Sequence, residues 1–231
     1  MERLTILVED DDLLALSKPA GLSAQAPPIA GDSLERRVRE YLQGAGGTAP
    51  YLGCVHRIDR PVSGVVLWAK SVRAARLLAK QFERRQVKKT YWAVVEGVLS
   101  APNGLWEDWL VREDTGLGQV QVCRAGTPRA QRAVTRFSVR SSWSDPIARS
   151  FLELHPETGR MHQLRIQCAH RGHPILGDAK YGAQQPFVAD AIALHARALT
   201  FRHPGTGQIQ TIEANLPPHW SVLEGVGIAR S

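Results

Sequence analysis

Three cysteines, Cys54, Cys123 and Cys168, are all that 231 residues contain. Their number is odd and their spacing wide, with no Cys-x-x-Cys pair, so neither a disulfide framework nor a zinc ribbon is expected. His170 and His173 lie near Cys168, but Gly172 ends the helix expected there. No further Cys or carboxylate stands at structural-zinc spacing, so no metal site is expected. Long apolar runs are missing too, which removes a membrane span. Residues 1–20 carry Asp10, Asp11 and Asp12 where a signal peptide needs an apolar stretch. There is no Gly-x-x-x-x-Gly-Lys phosphate loop, no Gly-x-Ser-x-Gly nucleophile elbow and no dinucleotide fingerprint. No cofactor is therefore expected, the chemistry must be one that side chains perform unaided, and a cytoplasmic protein is the expectation.

What the chain has in excess is positive charge. Lys and Arg number 29 against 22 Asp and Glu, a net charge of +7. That balance points to a polyanionic partner, with RNA or DNA ahead of an anionic membrane surface. The length suits one well-buried core, and a single domain over residues 1–231 is expected.

The hydrophobic pattern gives short strands at Leu4–Val8 and Leu13–Ser17, followed by a shaped loop, Lys18-Pro19-Ala20-Gly21-Leu22. Ser33 offers an N-cap to a helix with Leu34, Val38, Tyr41 and Leu42 on one face and Arg36, Arg37 and Arg39 mainly on the other. Gly44 to Pro50 reads as a flexible connector. Ser71 caps a second helix, with Leu77, Leu78 and Phe82 turned inward and Arg73, Arg76, Lys80, Arg84 and Arg85 outward. Strands are expected at Val65–Ala69, Lys88–Glu96, Leu105–Val111, Gln119–Cys123, Ala133–Val139, Phe151–His155, Ala198–Arg202 and Ile209–Ala214. The stretch over about residues 112–130 reads as a loop or hairpin able to reach a ligand. Thr158 stands at hand as an N-cap before a helix over His162–Arg171, stopped by Gly172. Strands dominate and helices intervene irregularly, which makes the expected fold class α+β around one mixed, largely antiparallel central sheet with flanking helices and loops.

The chemistry concentrates in Cys54 to Lys70. Asp59 stands among His56, Arg57 and Arg60 on a loop just ahead of the apolar strand, where a side chain is free to act while the core fixes its direction. Two readings stay open at this point. Asp59 caps a turn and pairs with an arginine, or it is a carboxylate held ionised by arginine and poised as a nucleophile in an anion-binding cleft. A second dense cluster is Thr158-Gly159-Arg160-Met161-His162-Gln163-Leu164-Arg165. On a helix His162 and Arg165 share a face, and Arg165 is either a partner for a carboxylate or a surface cation.

Five motifs in chain order resemble the RluA-type pseudouridine synthases. His56-Arg57-Ile58-Asp59-Arg60-Pro61-Val62-Ser63-Gly64 with Leu67-Trp68-Ala69-Lys70 is similar to their catalytic signature, and Lys18-Pro19-Ala20-Gly21-Leu22 to their first motif. Lys88 to Gly97 resembles their tyrosine motif. Thr158 to Ile166, with Pro174-Ile175-Leu176-Gly177-Asp178 and Tyr181-Gly182, resembles their arginine motif and its tail. Leu194-His195-Ala196, Phe201 and His203-Pro204 resemble their C-terminal strand region. The likeness runs from about residue 5 to residue 216.

The resemblance implies the pseudouridine synthase fold, a monomer, and isomerisation of uridine in ribosomal or transfer RNA. It implies that Asp59 is the nucleophile, attacking either the base or the sugar C1′, and that Arg165 pairs with it. Tyr91 packs on the uracil and is a candidate proton acceptor. Arg57 enters the RNA stack in place of the extruded nucleotide. His56 and Arg60 are placed with it as RNA-binding residues, and Leu194 as part of the pocket wall. Ile58, Val65 and Ile166 are candidate apolar lining for the cleft. Val62 departs from the family, which usually has threonine there. Only 17 residues precede Lys18, so no S4-type RNA-binding domain is expected and the basic helix faces are candidates for phosphate contact. Two rivals remain: a non-catalytic RNA-binding protein on the same scaffold, and an N-glycosidic bond hydrolase using Asp59 to activate water.

Overall fold

In the computed structural model, the described residues are 4–25, 31–44, 50–113, 118–144 and 147–223. Residues 45–49 of the expected connector and 114–117 of the expected loop lie outside them. Packing divides the chain into two compact units, Met1–Lys89 with His195–Pro217 and Thr90–Leu194 with Pro218–Ser231. The fold class is α+β, as the pattern predicts, with eleven strands and three α-helices among the described residues.

The first unit is built on β1 (Thr5–Glu9), β2 (Leu13–Lys18), β3 (Gly53–Cys54), β4 (Ser63–Ala69), β10 (Leu194–Arg202, from His195 on) and β11 (Ile209–Glu213). β4 is its axis, and every one of its residues is buried. β2 runs antiparallel along one edge of β4, from Leu13 opposite Ala69 to Lys18 opposite Gly64. The other edge is shared. β10 pairs in parallel with its start, His195 opposite Ser63, and β3 pairs antiparallel with its end. Gly64 has φ 116°, and a Cβ there would run into the carbonyl of Ala196, so this close approach requires glycine.

Two helices belong to this unit, and serine starts both. α1 (Leu34–Gln43) begins where the Ser33 hydroxyl accepts the Arg36 amide, and α2 (Val72–Glu83) where the Ser71 hydroxyl accepts the Ala74 amide. α2 presses Ala74 and Leu78 onto Leu13, Val65, Leu67 and Phe201. The buried stripe is narrow, so Leu77, a step of 100° from Leu78, is left exposed rather than turned inward. Tyr41 likewise stays exposed, because its hydroxyl donates to Glu9 Oε2 at the rim.

The second unit is an antiparallel array in the order β5 (Lys88–Glu96, from Thr90 on), β9 (Arg149–Pro156), β8 (Gln131–Trp143), β6 (Asn103–Arg112), β7 (Val120–Cys123). Within the units every ladder is antiparallel except β4 with β10, which makes the arrangement mixed and largely antiparallel. α3 (Gln163–His170) lays Ile166 against Leu110, Val120 and Ala133. It starts one residue later than expected, because His162 is held at φ 50° in the left-handed region. Thr158 is not its cap, since that hydroxyl serves Val134 and Gln163 instead. β10 starts four residues earlier than expected, since buried polar residues break its hydrophobic pattern. No helix of the described residues is long and apolar enough to cross a membrane.

Candidate active site

Asp59 lies, half-buried, in the loop that feeds β4. Its carbonyl accepts the Val62 amide and closes a turn. The next residue is stitched to the Lys18–Leu22 loop three times over. The Arg60 carbonyl accepts from the Gly21 amide and from Lys18 Nζ, while Arg60 Nε donates back to the Gly21 carbonyl. Lys18 has no exposed surface. Its ammonium spends all three donors on the carbonyls of Pro19, Leu22 and Arg60, at 2.8, 2.7 and 3.0 Å. Burial draws its pKa down to about 7, with the Asp59 charge opposing the drop and Arg60 adding to it.

Lys18 therefore sets the position of the loop that carries Asp59. Lys18→Met is expected to slow a single turnover by about tenfold or more, since a displacement of about 1 Å costs up to about a hundredfold, with RNA affinity retained. Rapid-quench kinetics checks this, and an unchanged rate removes the tether from the account.

A second anchor sits where β4 begins. The Ser63 hydroxyl is 2.8 Å from His195 Nδ1, and His195 Nε2 is 3.0 Å from the Ala214 carbonyl. A carbonyl only accepts, so Nε2 carries the proton and Nδ1 takes the serine hydrogen. Both partners are buried. The same Ala214 carbonyl also accepts from Arg197 Nη1. The end of the Asp59 loop is thus bolted to β10 and to the residue that follows β11.

The neighbouring cations divide in role. Arg57 is exposed, and its Nη1 reaches Gln25 Oε1 at 3.3 Å. His56 turns inward, where its Nε2 accepts the Leu67 amide at 2.9 Å and its ring stacks on Phe82. Burial pushes His56 down to about 4, with Lys89 adding to the shift. A pKa lower in the folded than in the unfolded chain means that the unfolded chain binds the proton more readily. The stability given by neutral His56 is complete above its ordinary pKa of 6.5 and is lost as pH falls toward about 4, at about 3 kcal/mol in all. His56→Gln keeps an acceptor for Leu67 without titrating. Urea unfolding at pH 7 and pH 4.5 is expected to show a smaller acid loss for this variant than for wild type; parallel losses would contradict it.

In the second unit, Tyr91 stands on β5 opposite Leu154 of β9, and Arg165 on α3. Arg165 and Asp178 form a two-pronged pair, Nε to Oδ2 and Nη2 to Oδ1, both 2.7 Å, with 6% and 1% of the side chains exposed. The guanidinium also lies over the Tyr181 ring, 5.2 Å from its centroid. The Tyr181 hydroxyl is 2.7 Å from His162 Nδ1 and accepts the Val120 amide.

α3 itself is fixed by polar groups. Thr158, Gln163, Thr135, Gln167 and Asp108 form a buried hydrogen-bonded chain from the turn before α3 to β8 and β6. Arg171 ends it, pairing with Asp108 and lying over Trp106. A fully satisfied network of this kind holds a helix in one register.

The structure thus gathers His56, Arg57, Asp59 and Arg60 in the first unit and sets Tyr91 and Arg165 in the second. Leu194 opens β10 and is buried. Ile58 is buried, while Val65 and Ile166 pack into the cores of their own units. Lys18, Ser63, His195, Asp178 and Tyr181 have no role assigned from sequence; all five lie inside the quoted motifs, which is the available signal. Arg36, Arg37 and Arg39 pair with Glu40, Asp32 and Glu35 on the α1 surface. Cys168 is buried, and burial pushes its thiol up to about 12. Among the described residues no group of three or more His, Cys, Asp or Glu side chains is arranged to hold a metal ion.

Comparison with known proteins gives a consistent result. The sequence profile of the family described as RNA pseudouridylate synthase matches residues 12–170. The chain is 34% identical to tRNA pseudouridine synthase C of Haemophilus ducreyi over 242 aligned positions, covering 95% of this chain and 94% of that one. It is also 34% identical to the ribosomal large subunit pseudouridine synthase C of the same organism, covering 94% of this chain and 67% of that one. Among solved structures, the human protein named RNA Pseudouridylate Synthase Domain Containing 4 superposes with a TM-score of 0.74 at 26% identity, covering 94% of this chain and 92% of that one.

Proposed function

The chain belongs to the RNA pseudouridylate synthase family, and on that premise we infer that it is an RNA pseudouridine synthase, an isomerase, with Asp59 as its nucleophile. The observation that carries the role of Asp59 is the double fixing of its loop, by Lys18 and Arg60 on one side and by Ser63 and His195 on the other. A loop with no task beyond a turn has no need of a buried ammonium beneath it.

The reaction balances within the nucleotide. The N1–C1′ bond breaks, the uracil turns, and C5 bonds to C1′. The C5 proton leaves and N1 gains one, so nothing is oxidised and no fragment is lost. Asp59 either adds to the base and is eliminated after C5 has bonded to C1′, or adds to C1′ as N1 leaves and is displaced by C5 as the new bond forms. Tyr91 offers a flat stacking face and a phenolic oxygen for proton transfer. Arg165, aimed by Asp178 and Tyr181, supplies positive charge for the carboxylate. Arg57 is the exposed cation to fill the space that a flipped uridine leaves in the RNA. Residues 1–231 work as one catalytic domain, as a monomer in the cytoplasm.

Transfer RNA and large-subunit ribosomal RNA are the substrate classes, following the two named relatives. The test maps pseudouridine in both classes, in cells with and without the gene. A site that disappears and returns with wild type but not with Asp59→Ala names the substrate. If no site changes in either class, the non-catalytic rival takes its place. Free uracil and an abasic site in the RNA would identify the hydrolase instead.

A further inference from the structure

Beyond the residues assigned to the reaction, the second unit contains a cavity of about 550 Å³ lined by Leu110, Val111, Arg112, Glu113, Val120, Arg129, Gln131, Arg160 and Met161. Asp59, Tyr91 and Arg165 take no part in its lining. Its volume falls in the range of about 300–1,000 Å³ usual for small-ligand sites. Three arginines against one glutamate make it an anion site, and Leu110 and Val120 give it a buried apolar floor. Two further features set it apart from a chance surface hollow. Arg129 is held at φ 63°, a backbone state that a non-glycine residue enters at a cost. Met161, an unbranched thioether side chain in a polar segment, is exposed beside Arg160.

Positive charge for a phosphate, flat or polarisable surface for a base, and an amide and a carboxylate for its edge are what recognition of a single unpaired nucleotide needs. We propose that this cavity binds a second, unreacted nucleotide of the substrate RNA, a neighbour of the uridine being isomerised. The phosphate lies among Arg112, Arg129 and Arg160, the base on Met161 and Val111, and Gln131 and Glu113 face its hydrogen-bonding edge. Arg160 Nε donates to the Arg132 carbonyl, which steadies the side chain while its terminal nitrogens remain for an anion. Met161 and Arg160 belong to the same segment as Arg165, so occupancy of the cavity bears on the turn that starts α3. This inference rests on RNA being the substrate. It makes the cavity a reader of the sequence around the target.

The chain has only two methionines, Met1 and Met161, which gives a direct probe. Protein labelled with ¹³C at the methionine methyls is titrated with unmodified transcripts of transfer RNA and of large-subunit ribosomal RNA, the one that is turned over serving as the transcript below, with uridine and adenosine 5′-monophosphates, and with inorganic phosphate. Binding of the transcript is followed in parallel by fluorescence anisotropy, and its turnover by pseudouridine formation. The Met161 methyl is expected to move upfield with the transcript and with a nucleotide, through the ring current of a stacked base, and not with phosphate alone. Arg112→Ala is expected to weaken transcript binding about fivefold and to lower its salt slope by about one, whereas Arg140→Ala, a cation of the same unit outside the cavity, changes neither. A transcript that binds without moving Met161 overturns the proposal, as does equal loss in the two variants or no binding at all. Turnover with Met161 unmoved sinks the cavity alone, and Met161 moved without turnover supports the cavity while sinking the isomerase reading.

Discussion

Asp59→Asn is expected to lower pseudouridine formation by about 10⁴-fold or more, the scale on which removing a nucleophile acts, while RNA affinity stays within about tenfold because phosphate contacts carry most of it. The substitution changes one oxygen to nitrogen and leaves the shape of the side chain intact. The ties described for this loop use the backbone of residues 59 and 60, the Arg60 guanidinium, Lys18 and Gly21. The backbone ties do not use the carboxylate, while the Asp59 charge helps keep the Lys18 ammonium protonated, so the variant loses the nucleophile and, to the roughly tenfold extent expected of Lys18→Met, part of the Lys18 tether. Single-turnover assays with a saturating transcript read the first quantity, and filter binding the second. An Asp59→Asn enzyme that retained turnover would remove the nucleophile from this position.

The second large effect concerns Asp178. It is expected that Asp178→Asn lowers stability by about 3–5 kcal/mol, the cost of removing one partner from a buried ion pair. The remaining guanidinium of Arg165 would stay in a place that admits 6% of its surface to water, with its two 2.7 Å charge-assisted bonds weakened. Activity falls as well, because the direction of Arg165 depends on that fork and on the Tyr181 ring. The double variant Asp178→Asn with Arg165→Met separates the two consequences. It leaves no charge stranded, so part of the stability returns, while activity does not. Denaturant unfolding and turnover on the two variants check both. A double variant no more stable than Asp178→Asn alone would show that the pair is not the source of the loss.

How far the sequence carried the reading follows from which residues obey simple periodicity. β4 and β5 could be placed because their β-branched and aromatic residues run unbroken between clear stops, and α1 and α2 because Ser33 and Ser71 announce them. β10 was cut short because His195 and Arg197 read as surface residues, yet each is buried and bonded to the Ala214 carbonyl. Lys18 misleads in the same way, since a lysine without exposed surface has no signature in a single sequence. α3 buries Gln163, Leu164, Arg165, Gln167 and Cys168, polar and apolar residues on more than one face, so hydrophobic patterning gives little sign of how it packs. Three cations on α1 read as a basic face, and the structure sets Asp32, Glu35 and Glu40 beside them. The motif residues themselves are legible, and which of them pair with one another across the chain is not.

The central claim is tested most directly by following the hydrogen at C5 of uridine. Joining C5 to C1′ expels that hydrogen, whereas binding alone or hydrolysis of the N1–C1′ bond leaves it in place. Transfer RNA and large-subunit ribosomal RNA transcribed with [5-³H]uridine are incubated with wild-type protein and with Asp59→Asn. Tritium is expected in water with wild type on one of the two RNAs, without free uracil, and none with Asp59→Asn. Tritium retained in both RNAs, or its appearance as free [³H]uracil, would contradict the account.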